Sequence, residues 1–436
     1  MLVKGLPRGV FHAGVFLLAG LVLVDLSFTL FGKDSVLNQL WRIAHFDLYS
    51  DSWSIMNIVH DWLEANPRHD LYLEHFFCGF RCQAQYPVTS QLVYLIPDML
   101  GKPWPILLFN RLGLLFWLLM ALGCGLIAVE LARQAEWRPG DRQAHLALAI
   151  LAVLSCITFY PALKAVTNGQ AQAWLNCWLV LAGYAWLRDR RMLAGMLIGA
   201  ICLFKPQLGL FLIWGLLRRQ WSFVQGWLIV MIPAQLASLY LYGIDNIFGY
   251  LRILRFLSLH GEIYAPNQSI AGLLNRLMGN GEGVTIWALD YPPYNPIVYY
   301  GSLVNSAFFN GLGLILGVRH KKITIVDLLI AALCFTMASP IAWQHHYGFL
   351  PLLFIVATLR LWVQPWPRGE ALGLGAALML AHLLTAHYFP HDLLPTTGWA
   401  SLLQSYVLYG AALLLVVAIV QGRAEEAVGQ RRTPLS

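Results

Sequence analysis

The chain has 436 residues, of which 58% are hydrophobic and only 12% charged, and its mean hydropathy is +0.60. Soluble domains carry about 25% charged residues, so a soluble globular protein is excluded, and the natural unit of length is the apolar stretch of about 20 residues that crosses a bilayer. The net charge of +7 does not indicate a nucleic-acid partner. The basic residues sit in short clusters between apolar stretches, an arrangement that fixes membrane orientation and suits anionic lipid headgroups.

The first apolar run, Val10 to about Leu30 behind Lys4 and Arg8, is too long for a signal-peptide core and lacks a small-residue cleavage site. It is predicted as a membrane helix. Further spans are predicted at about 105–132, 143–160, 170–187, 192–204, 207–217, 222–242, 297–318, 323–338, 346–363, 371–388 and 399–421. The expected architecture is an all-α polytopic bundle of about 12 transmembrane helices forming one domain over 1–436. Lys205-Pro206 leaves its two neighbours short, as half-length or tilted elements, because proline cannot continue a helix.

Two loops are long, about 32–104 and 243–296. In the first, Ser50 or Asp51 is placed to cap a helix whose Trp53, Met56, Val59, Trp62 and Leu63 share one face and which Pro67 ends. This helix is expected to lie on the membrane surface. Segment 88–101, with Pro97, Asp98 and Gly101, is expected to be interfacial or re-entrant. The clusters Lys4/Arg8, Arg133/Arg138/Arg142, Arg188/Arg190/Arg191, Arg218/Arg219, Arg319/Lys321/Lys322, Arg360/Arg368 and Arg423/Arg431/Arg432 predict a cytoplasmic face carrying both termini. The long loops then lie outside, on the periplasmic side of a cell membrane. Of the seven cysteines, Cys78 and Cys82 lie in a polar external loop, either as a disulfide or as two thiols one turn apart. The others behave as small buried hydrophobes.

On this topology the unusual polar clusters all fall outside. Asp47 follows the first helix, close to Asp51, where a carboxylate can take a proton from a hydroxyl nucleophile or serve as a loop acid or cap. Lys205 sits between two apolar segments, where it either meets an anion such as a phosphate or snorkels to the surface. His345 and His346 beside Trp343 and Tyr347 suit a phosphate or a sugar ring. Adjacent histidines diverge, so they are not read as a shared metal site, and no metal or cofactor is expected. Asn168-Gly169-Gln170, Asn267-Gln268-Ser269 and Arg276 complete the set. Asn267 heads a glycosylation sequon, a weak motif, and is read instead as part of a substrate-contacting loop. Asp25 and Asp327 fall within helices, and Asp327 is read as structural.

Taken in order, these motifs resemble the GT-C membrane glycosyltransferases, and more narrowly glycosyltransferase family 87, the polyprenyl-phosphate-mannose-dependent α-mannosyltransferases. The resemblance rests on Phe46-Asp47-Leu48-Tyr49, Tyr86-Pro87, Asn168-Gly169-Gln170, Leu203-Phe204-Lys205-Pro206, Asn267-Gln268-Ser269 with Arg276, and Ser339-Pro340 through Trp343 to His345-His346-Tyr347. It implies a polyprenyl-phosphate-sugar donor, with mannose as the sugar, and a glycan or glycolipid acceptor. It also implies inversion at the anomeric carbon and no metal. By resemblance Asp47 is the general base. Lys205, His345 and His346 are expected to donate to the leaving phosphate, with Arg276, Arg252 and Arg255 as weaker candidates. Gln170, Asn267, Gln268 and Trp343 are expected to contact the donor. The sequence departs from the family pattern in the long stretch between Asp47 and Tyr86 and in Val88 after Pro87, which bears on the acceptor. A flippase or transporter, a lipid-linked oligosaccharide ligase or polymerase, and a scaffold subunit are the competing readings. A flippase needs intramembrane charges at several depths and an inverted repeat, and neither is evident.

Overall fold

The computed structural model describes residues 34–78, 84–101, 105–137, 140–286, 290–318, 320, 322–364, 366–389 and 398–431, together with Leu23 and Ser27. Most of the predicted first membrane helix, including Asp25, lies outside the described residues, as does the Cys78–Cys82 pairing. Among the described residues there is no β-strand, only an isolated antiparallel bridge between Asn267 and Trp343.

The chain opens with α1 (Val36–Ala44) and α2 (Asp51–Ala65), then a 3-10 turn at Val88–Tyr94 and α3 (Leu95–Met99). The bundle continues with α4 (Pro105–Gln134), α5 (Arg142–Ile157), α6 (Tyr160–Thr167), α7 (Gln172–Leu187) and α8 (Arg191–Cys202). Next come α9 (Leu210–Leu217), α10 (Trp221–Tyr242), α11 (Ile244–His260) and α12 (Ile270–Met278). It ends with α13 (Pro296–Ile315), α14 (Ile325–Met337), α15 (Leu350–Val363), α16 (Arg368–Ala386) and α17 (Tyr406–Arg431).

Helices thus stand wherever hydropathy predicts them among the described residues, but fewer than twelve are fit to cross a bilayer. Four of the described helices qualify by length and apolarity, namely α4, α10, α16 and the stretch Trp399–Arg423 that includes most of α17. A fifth arises if α5 and α6, bent by 56° at their junction, act as one. The helices α8 and α14 are apolar but have only 12 and 13 residues. Every residue of α14 is buried, so its hydrophobicity serves the protein core rather than lipid. Hydropathy alone does not separate such a core helix from a span.

Close packing replaces hydrophobic drive between membrane helices, and small residues permit it. Helix α8 carries Gly195 and Gly199 on one face. A Cβ at Gly195 would sit 1.9 Å from the Phe223 carbonyl oxygen, and one at Gly226 2.0 Å from that of Met192, so α8 and α10 meet backbone to backbone.

Two expectations for the loops change. The apolar face of α2 does form, but Trp53, Met56, Val59 and Leu63 are buried in protein. The Trp53 ring packs 4.8 Å from both Phe109 and Trp174, so this face is part of the core and does not lie on the membrane surface. The second long loop carries two helices, α11 and α12. There α11 leaves Ile244, Phe248, Leu251 and Leu254 exposed on the helix that carries Arg252 and Arg255, the composition of an in-plane interfacial helix. Segment 88–99 forms a 3-10 turn and the short α3, too short to cross.

Contacts sort the helix ends into two faces. On one, Thr89 Oγ1 donates to the Leu203 carbonyl (2.7 Å), Asn110 Nδ2 to Tyr49 O (3.1 Å) and Trp174 Nε1 to Phe109 O (3.3 Å). On the other, Arg188 pairs with Glu130 (3.1 Å), and Arg218 donates to the carbonyls of Leu314 (2.9 Å) and Leu316 at the end of α13. The predicted basic residues Arg133, Arg142, Arg188, Arg190, Arg191, Arg218 and Arg219 fall on this second face, opposite the polar loops.

Candidate active site

The site is assembled where α1, the α6–α7 turn and the start of α2 converge. After α1 the chain turns sharply, with Phe46 at φ +55, and the Asp47 N–H donates to Arg42 O (2.9 Å). Arg42 Nε donates to Asp47 Oδ2 at 3.0 Å while the guanidinium stacks 4.3 Å over the Tyr49 ring. Asp47 is therefore held by a buried arginine, yet its side chain is 64% exposed.

Residues 49–52 then run along the α6–α7 turn. Tyr49 N–H donates to Thr167 O (2.8 Å), Asp51 N–H to Asn168 O (2.9 Å) and Ser52 N–H to Gly169 O (3.4 Å). Ser50 does precede the first residue of α2, but its hydroxyl pairs with Ser54 (2.6 Å) instead of capping the helix. Gln170 ties the segment further, donating from Nε2 to Asp51 Oδ2 (2.9 Å) and accepting on Oε1 from Ser52 Oγ (2.5 Å). Tyr86 OH bonds Ser52 Oγ at 2.7 Å, so Tyr86 and Gln170 share one network. Much of Asp51 is exposed, but its carboxyl is enclosed by this network. Desolvation raises its pKa, and the Gln170 amide and the Lys164 charge oppose that rise. Lys164 on α6 pairs with Asp34 (2.6 Å).

Beside this shelf, α7, α8, α14 and the turn before α15 line a pocket. Lys205, His346, Gln172, Asn176, Gln207 and Thr336 supply its polar lining and Leu175, Leu179, Ile201 and Phe349 its apolar wall. Lys205 stands in the break between α8 and the 3-10 turn Pro206–Gly209, because Pro206 ends the helix there. Among the described residues its ammonium has no hydrogen-bond or ion-pair partner. Its pKa falls well below the usual lysine value through burial, an effect that a bound anion reverses. Trp343 N–H donates to His346 Nδ1 (3.2 Å), which leaves the ring hydrogen on Nε2. Burial, reinforced by Lys205, lowers the pKa of both His345 and His346 well below the ordinary value. Both rings are neutral, so His346 offers the pocket an N–H donor and no positive charge. His345 does not line the pocket.

The remaining polar residues read as substrate contacts are spent on a scaffold. Asn267 accepts from Ala342 N–H on Oδ1 (2.9 Å) and donates to Glu262 O (2.9 Å). Gln268 donates to Ala265 O and Gln404 O (2.7 Å each) and accepts from Val407 N–H (3.0 Å). Arg276 is fully buried and donates to Ile263 O (3.2 Å), Tyr264 O (3.1 Å), Asn267 O (3.1 Å) and Ser405 Oγ (2.7 Å). Trp343 Nε1 donates to the Glu262 carboxylate. Together these bonds clamp residues 262–276 against 339–347 and the start of α17. Arg252 is taken up by Asp70. Asp327 caps α14 through Thr324 (2.7 Å) and pairs with His320 (2.7 Å) on the opposite face, a structural role as expected.

Gln172, Asn176 and Lys164 belong to this region beyond the residues that the sequence motifs single out. The signal for the first two was a pair of amides one turn apart at the start of an otherwise apolar helix, since polar groups at that depth need a partner. Among the described residues one group has metal-ligand chemistry. His60 Nε2 lies 3.3 Å from Asp98 and 3.7 Å from Glu64, a polar contact that ties α2 to α3.

The glycosyltransferase family 87 model matches residues 85–340. The match takes in the pocket-lining residues up to Thr336 and leaves Asp47 and His346 beyond its ends. No curated protein matches the chain.

Proposed function

Because this chain belongs to glycosyltransferase family 87, and so to the membrane glycosyltransferases, we propose that it moves a hexose, mannose by resemblance, from a polyprenyl-phosphate donor to a hydroxyl of a glycan or glycolipid. The observation that carries this reading is the unpartnered Lys205 ammonium in a pocket that also holds the His346 N–H. Buried amines of this kind call for an anion, and a lipid phosphate between membrane helices meets that need. The acceptor hydroxyl attacks the anomeric carbon, and its proton passes to the Asp47 carboxylate. The bond from that carbon to the phosphate oxygen breaks, and the polyprenyl phosphate leaves with the electron pair. Attack opposite the leaving group inverts the configuration. Lys205 and His346 Nε2–H stabilise the charge that grows on the phosphate, and no step calls on a metal. Arg42 orients Asp47, while Asn267, Gln268, Arg276 and Trp343 shape the loop that carries His346. In this reading the basic face is cytoplasmic, both termini lie there, and the site opens on the periplasmic side of the cell membrane, with α11 in the outer lipid surface.

The test is donor class and stereochemistry. Purified protein is offered radiolabelled hexose as polyprenyl phosphate, as nucleotide sugar and as lipid-linked oligosaccharide, and the product linkage is read by NMR. Transfer from the polyprenyl phosphate alone with inverted configuration supports the reading. Transfer only from the oligosaccharide would assign the chain to the ligases.

A further inference from the structure

The pocket holds two amides with no use in the scaffold. Gln172 opens α7 and Asn176 follows one turn later, and Gln172 Nε2 donates to Asn176 Oδ1 at 2.7 Å. The residues are 7% and 1% exposed, yet among the described residues Gln172 Oε1 and Asn176 Nδ2 have no partner. One free acceptor and one free donor are thus buried in the lining that also contains Lys205. Stranded groups of this kind are costly to fold unless something arrives to satisfy them. The missing side chain at Gly348 leaves room for the Asn176 amide, for a Cβ there would lie 2.2 Å from Asn176 Nδ2.

The polarity of the pair selects the ligand group. A phosphate ester ionised at pH 7 offers acceptors only, so it suits Lys205 and repels the Gln172 oxygen. A hydroxyl both donates and accepts and satisfies both amides. We infer that Gln172 and Asn176 are specificity-determining residues that bind hydroxyl groups of the transferred sugar, while Lys205 holds the phosphate of the same donor. The inference rests on the donor class proposed above. The competing occupant is a resident water, which a polar site with two or more such partners can hold.

The test uses the full-length protein in detergent, with Asn176→Leu, Gln172→Met and Gly348→Ala as independent variants. Donors are polyprenyl-phosphate-mannose and its 2-, 3-, 4- and 6-deoxy forms. Sugar-free polyprenyl phosphate serves as the binding probe. Each variant is expected to lose about tenfold or more in kcat/KM with the intact sugar. The loss should vanish with the deoxy donor that lacks the recognised hydroxyl, the non-additivity that marks a direct contact. Affinity for the sugar-free lipid should stay within about twofold of wild type, because a lost hydroxyl contact leaves the phosphate site intact. Equal weakening of sugar-free lipid binding would assign the pair to the phosphate or the fold. Wild-type turnover by all variants on all donors would leave only a water in the pocket. Either result overturns the inference while the donor class stands. A wild type that neither binds the lipid nor transfers from it removes both.

Discussion

A Cβ added to Gly169 would lie 2.0 Å from the Tyr49 carbonyl oxygen. Gly169 also has φ +62, a conformation that side chains resist. These two constraints let the chain segment bearing Asp47 and Asp51 lie against the α6–α7 turn with three backbone hydrogen bonds. Gly169→Ala is therefore expected to displace residues 49–51, lower the melting temperature and remove transfer. Strain of about 1–3 kcal/mol from backbone conformation alone adds to the clash. Wild-type melting and activity in the variant would show that the segment has room to move.

Arg276 carries four hydrogen bonds in a fully buried site. Arg276→Ala strands several carbonyls at once, and a loss of about 3 kcal/mol or more is expected. Its signature is a lower melting temperature in detergent, with sugar-free polyprenyl phosphate still bound by the fraction that remains folded. An unchanged melting temperature with weakened lipid binding would return Arg276 to the phosphate.

Lys205→Ala should raise KM for the donor by about tenfold or more, since a hydrogen-bonded charge is worth about 1.5–3 kcal/mol. The melting temperature without ligand should hold or rise, because an unpartnered buried ammonium is removed. Unaltered donor kinetics would take the phosphate away from Lys205.

Acid should destabilise the fold through His345 and His346. Their folded-state pKa lies well below the ordinary value because of burial and Lys205. Below the unfolded value of about 6.5 the unfolded chain takes up protons that the folded chain refuses, so stability falls as pH falls. The melting temperature should drop between about pH 7 and 5, and His345→Phe or His346→Gln should flatten that slope. A slope unchanged by both substitutions would place the acid-sensitive groups elsewhere.

Much of the fold could be read from hydropathy because apolar runs set the helix positions. α14 shows the limit, since a buried core helix and a short span share one composition. α2 shows another, because its apolar face was legible and its partner, Trp174 on a distant helix, was not. In the site, Lys205 stands out as a charge between apolar segments and His346 as an imidazole beside aromatic rings, while Asp47 and Gln170 stand out through the motifs that carry the family resemblance. Asn267, Gln268 and Arg276 stood out equally, yet their hydrogen bonds go to loop backbone. Buried loops need such partners, and a lone sequence cannot distinguish a residue polar for the scaffold from one polar for a substrate. Gln172 and Asn176 carry the same signal, two amides in an otherwise apolar helix, but only the pocket shows what they line.

Asp47 and Asp51 give the sharpest test. Both are carboxylates on the same segment, but Asp51 is bound into the Gln170 network and Asp47 is exposed beside Arg42. The measurement is transfer of radiolabelled mannose from polyprenyl-phosphate-mannose to a glycolipid extract by purified wild type, Asp47→Asn and Asp51→Asn, with and without EDTA. Transfer by wild type that survives EDTA, a loss of about 10²–10⁴-fold in folded Asp47→Asn and a milder loss in Asp51→Asn are the expected result. Wild-type rates in Asp47→Asn, or no transfer by folded wild type across a range of acceptors, would contradict it.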